Sequence, residues 1–293
     1  MSLPIIDWTA PDRAEQIGRA ARGPGFFLLT GHGIAGALIA DVFAQGARFF
    51  DLPAKDKSTL AIDADNRGWA AEGTEQLDPK DAPDRKEAFN MGLDLAADDP
   101  RVLAREPFRG VNKWPDLPDF ADTLRAYFSA VHRLGVDVMG AVAEDLNLPS
   151  DYFDASLDAP IATLRLLSYP AAVPDQKVGA GAHTDYGALT FLLTDGVPGL
   201  QVRPRDGAWI DVPHVDGAYI VNIGDCLMRW SNDVYVSTPH RVLPPPAARM
   251  SIAFFLDPNP DAVIKALPGT GPAKYPETTG AAYLRSRLEE TYA

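Results

Sequence analysis

Residues 178–195 read VGAGAHTDYGALTFLLTD. The second half, ALTFLLT (188–194), is a short apolar run with a glycine before it and Asp-Gly after it, the signature of a strand of about five residues. The same texture recurs from Ile161 onward in ATLRLLSYP (162–170), GLQVRP (199–204), AWIDVP (208–213), AYIVNIGD (218–225) and RMSIAFFLDP (249–258). No helical stretch separates these runs. A parallel sheet would need crossover helices between them, so the pattern predicts an antiparallel barrel or double-sheet jelly roll.

Upstream the texture is different. LPIIDW (3–8) reads as a strand, DRAEQIGRAARGPG (12–25) as a helix stopped by Gly23-Pro24-Gly25, and FFLLT (26–30) as a second strand. Residues 35–57 repeat apolar positions at helical spacing, and residues 63–118 are irregular and rich in Asp, Pro and Gly. Residues 119–147 form one long amphipathic helix, and the tail 278–293 a closing helix. The expected fold is mainly β with flanking helices around a double-stranded β-helix (jelly-roll, cupin-like) core. It divides into an N-terminal region (1–155), the core (156–260) and a C-terminal helical extension (261–293), packed as one structural unit.

At 293 residues and 46% hydrophobic content the chain can bury a sizeable core. A net charge of -13 repels phosphate backbones and anionic lipid surfaces, which argues against nucleic acid and membrane partners. MSLPIIDWTAPDR lacks a basic start followed by a long apolar segment, and no run approaches the roughly 20 apolar residues that span a bilayer. A soluble, cytoplasmic, unprocessed protein is expected. Cys226 is the only cysteine, which precludes an intramolecular disulfide or thiolate cluster; it reads as a small buried hydrophobe.

The five histidines can be weighed singly. His32 sits in a glycine-flanked turn, His132 inside the long helix and His214 in a loop, and each reads as structural. His183 differs because Asp185, two positions on along extended backbone, points to the same side and can reach the same ion. His-x-Asp alone is a weak signal. It gains weight from STPHRV (237–242), where His240 can be folded back over the first pair. Two histidines and one carboxylate on one face of a metal leave three octahedral positions open, the arrangement suited to iron(II) and dioxygen. Glycines 179, 181 and 187 would give the backbone room to bend around it.

Shortly after His240, Arg249 and Ser251 lie two apart on a predicted strand. The planar guanidinium can clamp a carboxylate in bidentate fashion, and the hydroxyl adds one donor.

With these residues in place, the sequence resembles the isopenicillin N synthase-like family of iron(II)/2-oxoglutarate-dependent dioxygenases, in its bacterial form. His-Thr-Asp, then STPHRV, then Arg-x-Ser occur in the family's order. LPIIDW, GFFLLTGHGI, RFFDLPAKDK, RKEAFNMG, NKWPDLPDF, VPGLQV, VNIGD and KYPETTGAAYLRSRL look like further family landmarks along nearly the whole chain. The resemblance implies iron(II) held by His183, Asp185 and His240, and 2-oxoglutarate held at its distal carboxylate by Arg249 and Ser251. It further implies dioxygen as oxidant, ascorbate as reductant in vitro, and oxidation of a C–H bond in a small molecule with release of succinate and CO2. Tyr169 in LLSYP matches a family tyrosine that helps hold 2-oxoglutarate, whereas Leu167 and Ser168 replace the family's Asn and Tyr. Phe89, Met91, Tyr186 and Phe255 are candidates for the substrate wall, and Arg85 with Lys86 reads as a solvated surface pair. Three other readings stay open: an oxidase on this scaffold that uses no 2-oxoglutarate, a zinc hydrolase, and a jelly-roll binding module without chemistry.

Overall fold

The computed structural model describes residues 2–74, 84–176, 178–205 and 207–292. The chain opens with β1 (Ile5–Asp7), α1 (Arg13–Arg22), β2 (Phe26–Thr30), α2 (Gly36–Phe50) and α3 (Ala54–Ser58). Next come β3 (Gly68–Ala70), β4 (Glu87–Gly92), α4 (Pro100–Leu103), the long α5 (Phe120–Asp145) and α6 (Asp154–Leu157). The strands β5 (Thr163–Tyr169), β6 (Ala180–His183), β7 (Leu189–Thr194), β8 (Leu200–Val202), β9 (Ile210–Asp211) and β10 (Tyr219–Ile223) precede α7 (Asp225–Trp230). They are followed by β11 (His240–Val242), β12 (Arg249–Leu256), β13 (Val263–Ile264), β14 (Thr278–Thr279) and α8 (Gly280–Tyr292).

Two sheets make the jelly roll. The larger runs β1-β2-β10-β7-β12-β5-β4-β3 and the smaller β6-β11-β8-β9. Their pairs are antiparallel except β1 with β2, which the intervening α1 joins in parallel. Residues 63–118, read as irregular, contain β3 and β4, and β4 pairs with β5 along its whole length from Glu87↔Ser168 to Gly92↔Thr163. Flanking Asp, Pro and Gly disguise a strand whose identity comes from its partner; residues 75–83 of that region lie outside the described residues. The helical stretch 35–57 is interrupted at Leu52-Pro53, where Pro53 caps the start of α3.

Strand alternation splits the core in two. On β12, Ile252, Phe254 and Leu256 face the helices, as do Leu164 and Leu166 on β5 and Phe191 and Leu193 on β7. The other parity, Ala253, Leu167, Tyr169, Ile220 and Phe26, faces the smaller sheet together with Val202 and Val242. The helical layer is dominated by α5, whose buried Leu124, Tyr127, Phe128, Val131, Leu134, Val138 and Val142 recur at three- and four-residue steps. Each such side chain, fully buried, contributes about 1.5–3 kcal/mol. Gly135 allows the close approach, since a Cβ there would lie 2.9 Å from Leu256 Cδ2. Among the described residues no helix is long and apolar enough to cross a membrane.

Candidate metal centre and co-substrate site

The smaller sheet brings the two histidines together. β6 and β11 pair with His183 opposite His240, and the imidazole centroids are 4.3 Å apart. Asp185 follows two residues past the end of β6, and one ligand atom from each of the three falls within 4.8 Å of the others. The Nδ1 atoms are turned away from this point, His183 towards Gly181 O at 2.7 Å and His240 towards Thr238 O at 3.3 Å. That leaves both Nε2 atoms facing Asp185 Oδ1, at 3.8 Å and 3.5 Å. The other oxygen, Oδ2, accepts from Thr190 Oγ1 at 2.5 Å and from Asn222 Nδ2 at 2.8 Å. Two imidazoles fixed through their outer nitrogens and one carboxylate fixed through its outer oxygen fit a divalent ion about 2.0–2.2 Å from each donor.

The electrostatics agree with this fit. Burial, reinforced by the neighbouring His240, pulls the His183 imidazole down to about 4, so it is neutral and able to donate its lone pair near neutral pH. Burial opposes ionisation of Asp185, yet His240, His183 and the two donors outweigh it and hold the carboxyl below its ordinary value.

Close backbone packing holds this loop in place. The first turn of α7 donates from Asp225 N to Asp185 O at 2.7 Å and from Cys226 N to Tyr186 O at 3.0 Å. Gly187 and Gly224 make the approach possible: a Cβ on Gly224 would lie 2.1 Å from Gly187 O. Gly179 serves likewise, with its Cβ position 2.8 Å from Leu243 O, so these glycines provide clearance for close backbone approach.

The larger sheet carries the pair expected to hold the co-substrate. Arg249 and Ser251 lie on the face of β12 that meets the smaller sheet, and both are buried. Arg249 is the cross-strand partner of Tyr169, with its guanidinium carbon 5.1 Å from the Tyr169 ring centroid. Its Nε donates to Val197 O at 3.2 Å and its Nη1 to Ser251 Oγ at 3.4 Å. Register places Thr190, which holds Asp185, beside Phe255 on the same face and further along β12. Along this face of β12, Ser251 therefore lies between Arg249 and the level of Thr190, and the planar guanidinium is suited to a carboxylate.

Of the substrate-wall candidates, Phe255 faces this interior and Tyr186 is half-buried beneath Arg287, whose guanidinium carbon is 5.1 Å from the ring centroid. Phe89 and Met91 point the other way. They belong to the helix-facing core, where the Phe89 ring lies 4.7 Å from Phe49 and 5.3 Å from Phe120, so the parity of β4 removes them from the interior. His32, His132 and His214 bond to Gly217 O, Leu157 O and Asp216, in keeping with structural roles. Lys86 is not solvated: it is 5% exposed and ion-paired with Asp84, which also accepts from Gly181 N near the start of β6. Arg85 alone lies outward, on Glu72. Thr190, Asn222 and the Asp84–Lys86 pair are the supports that the sequence did not identify. A polar residue inside an apolar strand, as in YIVNI, was the available signal.

Asp257 adds a pH-dependent feature. Burial, with a further contribution from Asp185, raises its carboxyl to about 7. The unfolded chain loses this proton near pH 4 and the folded chain only near 7. Ionisation therefore destabilises the metal-free fold progressively from about pH 4 to 7, by up to roughly 4 kcal/mol. Asp257→Asn should widen its melting-temperature advantage over the parent across that interval and then plateau. A difference that is constant with pH would contradict this.

Comparison with known proteins agrees with the geometry. Residues 3–117 match the model of the non-haem dioxygenase in morphine synthesis N-terminal family, and residues 160–258 that of the 2OG-Fe(II) oxygenase superfamily. The 2-oxoglutarate-Fe(II) type oxidoreductase hxnY of Emericella nidulans is 38% identical over 296 residues, covering 95% of this chain and 84% of the relative. A full-length Neurospora crassa protein solved in complex with alpha-KG superposes with a TM-score of 0.87 at 35% identity, covering 99% of this chain and 96% of that one. The same protein has been solved with alpha-KG and thymine, at 34% identity and a TM-score of 0.87, covering 99% of this chain and 97% of that one. Together with the His183, Asp185 and His240 cluster, these matches establish that the chain belongs to the 2OG-Fe(II) oxygenase superfamily.

Proposed function

We propose that this 2-oxoglutarate-dependent dioxygenase hydroxylates an unactivated C–H bond of a small, planar, carbonyl-bearing molecule. The observation that carries the substrate reading is the composition of the interior wall beyond Ser251. Phe255 offers an aromatic face, while Arg165 and Asn90, cross-strand partners on β5 and β4, add a guanidinium and an amide on the same side. Such a wall suits a flat ring with polar edges. The Neurospora crassa complex with alpha-KG and thymine is a related protein with a ligand of that kind.

Bound iron(II) supplies the redox chemistry by which one O2 converts 2-oxoglutarate to succinate and CO2 and inserts its second oxygen atom into a C–H bond. The chain's own residues bind and orient. His183, Asp185 and His240 present three donors on one face. Thr190 and Asn222 fix the carboxylate so that Oδ1 alone is offered. Arg249 and Ser251 neutralise and align the far carboxylate, and the apolar interior around Phe26, Leu28 and Ile220 keeps water from the reacting atoms.

The test is anaerobic titration with iron(II) and 2-oxoglutarate, followed by exposure to O2 and a panel of planar heterocycles and aliphatic acids. Succinate is expected in equal amount to a product heavier by one oxygen atom, with planar heterocycles preferred. Product without succinate would instead assign the oxidase that uses no 2-oxoglutarate, and preference for aliphatic acids would overturn the substrate reading.

A further inference from the structure

Three side chains link the C-terminal helix to the segment that carries Asp185. Thr184, between the two ligands, donates from Oγ1 to Asp225 Oδ2 at 2.9 Å. The same oxygen accepts from Arg287 Nη2 of α8 at 3.0 Å. Arg287 also covers the ring of Tyr186, the residue directly after Asp185, at 5.1 Å, and bonds Glu290 Oε2 at 2.6 Å within α8. One guanidinium thus grips the side chains on both sides of the carboxylate ligand, one through Asp225 and the other face-on. Asp225 is mostly buried and its own backbone N–H holds Asp185 O, so the links share one rigid turn.

The helix itself is anchored for this task. Arg229 of α7 lies between the rings of Tyr275 and Tyr283, at 4.9 Å and 5.6 Å, and donates to Pro276 O at 2.7 Å. Tyr275 donates to Asp233 Oδ1 at 2.7 Å. These contacts hold the segment leading into α8, and Tyr283 within it, against α7 and the turn after it without Arg287. The guanidinium of Arg287 is directed instead at the 184–186 segment.

We propose that Arg287 is a positioning residue for the iron site, holding residues 184–186 so that Asp185 stays aimed between His183 and His240. The proposal rests on the dioxygenase reading of the triad. Backbone motion at Asp185 would trade the metal-ligand geometry for solvent contact, and outer supports of metal ligands typically carry about 10–100-fold in affinity.

The test measures binding of Mn(II) and anaerobic Fe(II) to the purified full chain, beside thermal melting of the metal-free protein. Arg287→Ala is expected to weaken both metals by about 10-fold or more. Arg287→Lys, which keeps the charge but loses the planar fork, should fall between it and the parent. Thr184→Val, close in shape and uncharged, should weaken binding several-fold while melting near the parent temperature, which separates positioning from folding. Arg285→Ala, on the exposed side of the same helix, serves as control and should bind like the parent. If Arg287→Lys and Thr184→Val both bind metal as the parent does, or if Arg287→Ala lowers only the melting temperature, the proposal is overturned. If the parent binds no divalent metal, the triad reading itself fails, a result distinct from either.

Discussion

Replacing His240 by alanine is expected to lower Fe(II) affinity by about 10³-fold or more and to bring succinate formation to background. The size follows from what the ring does. His240 is the cross-strand partner of His183, its Nε2 lies 3.5 Å from Asp185 Oδ1, and its opposite nitrogen is engaged with Thr238 O. Removing it leaves two protein donors where three converge, so the loss should exceed the roughly 10–100-fold typical of an outer support. The metal-free fold should be only modestly affected, within about 1–2 kcal/mol, because the ring's other main contact is an edge-on packing against Phe26 at 5.4 Å. His132→Ala on α5 provides the comparison: it removes a hydrogen bond to Leu157 O far along the fold and should leave metal affinity unchanged. Equal metal binding by the His240 and His132 variants would refute the site.

The candidate site residues were legible because chemistry constrains type and spacing together. His183 and Asp185 share a side by alternation, and Arg249 and Ser251 share another, whatever the strands pair with. What the sequence could not reveal depends on pairing. Thr190 and Asn222 support Asp185 only because β7 and β10 are neighbours in the sheet, and neither strand's own pattern names its neighbour. EAFNMG suggests Phe89 and Met91 as substrate contacts because it lies near the right strands. Yet a shift of one position decides which face a strand residue takes, and β4 turns these two to the helices. Just before β4, Arg85 and Lys86 take different partners, so that two adjacent cations become one outward residue on Glu72 and one buried partner of Asp84. The short strands β6 and β11 are three or four residues long, too brief to show a period, and exist because they pair with each other.

Arg249→Met should raise the KM for 2-oxoglutarate by about 10²-fold or more while leaving Fe(II) affinity near that of the parent. A buried charge that loses its hydrogen-bonded partner costs about 2–5 kcal/mol, and each 1.4 kcal/mol is tenfold in binding. Arg249 is only 2% exposed, and its bonds to Val197 O and Ser251 Oγ fix the fork in the interior. Arg249→Lys keeps the charge without the planar fork and should lose about 10-fold. Stability and binding should respond with opposite signs. In the absence of 2-oxoglutarate a buried guanidinium bears its desolvation cost with only neutral partners, so the Met variant should melt at or above the parent temperature. On adding 2-oxoglutarate and metal the parent should gain stability as a bound ligand requires, and the Met variant should gain from the metal alone. A Met variant that is less stable without 2-oxoglutarate, yet binds it as the parent does, would make Arg249 a structural residue and move the anion clamp elsewhere.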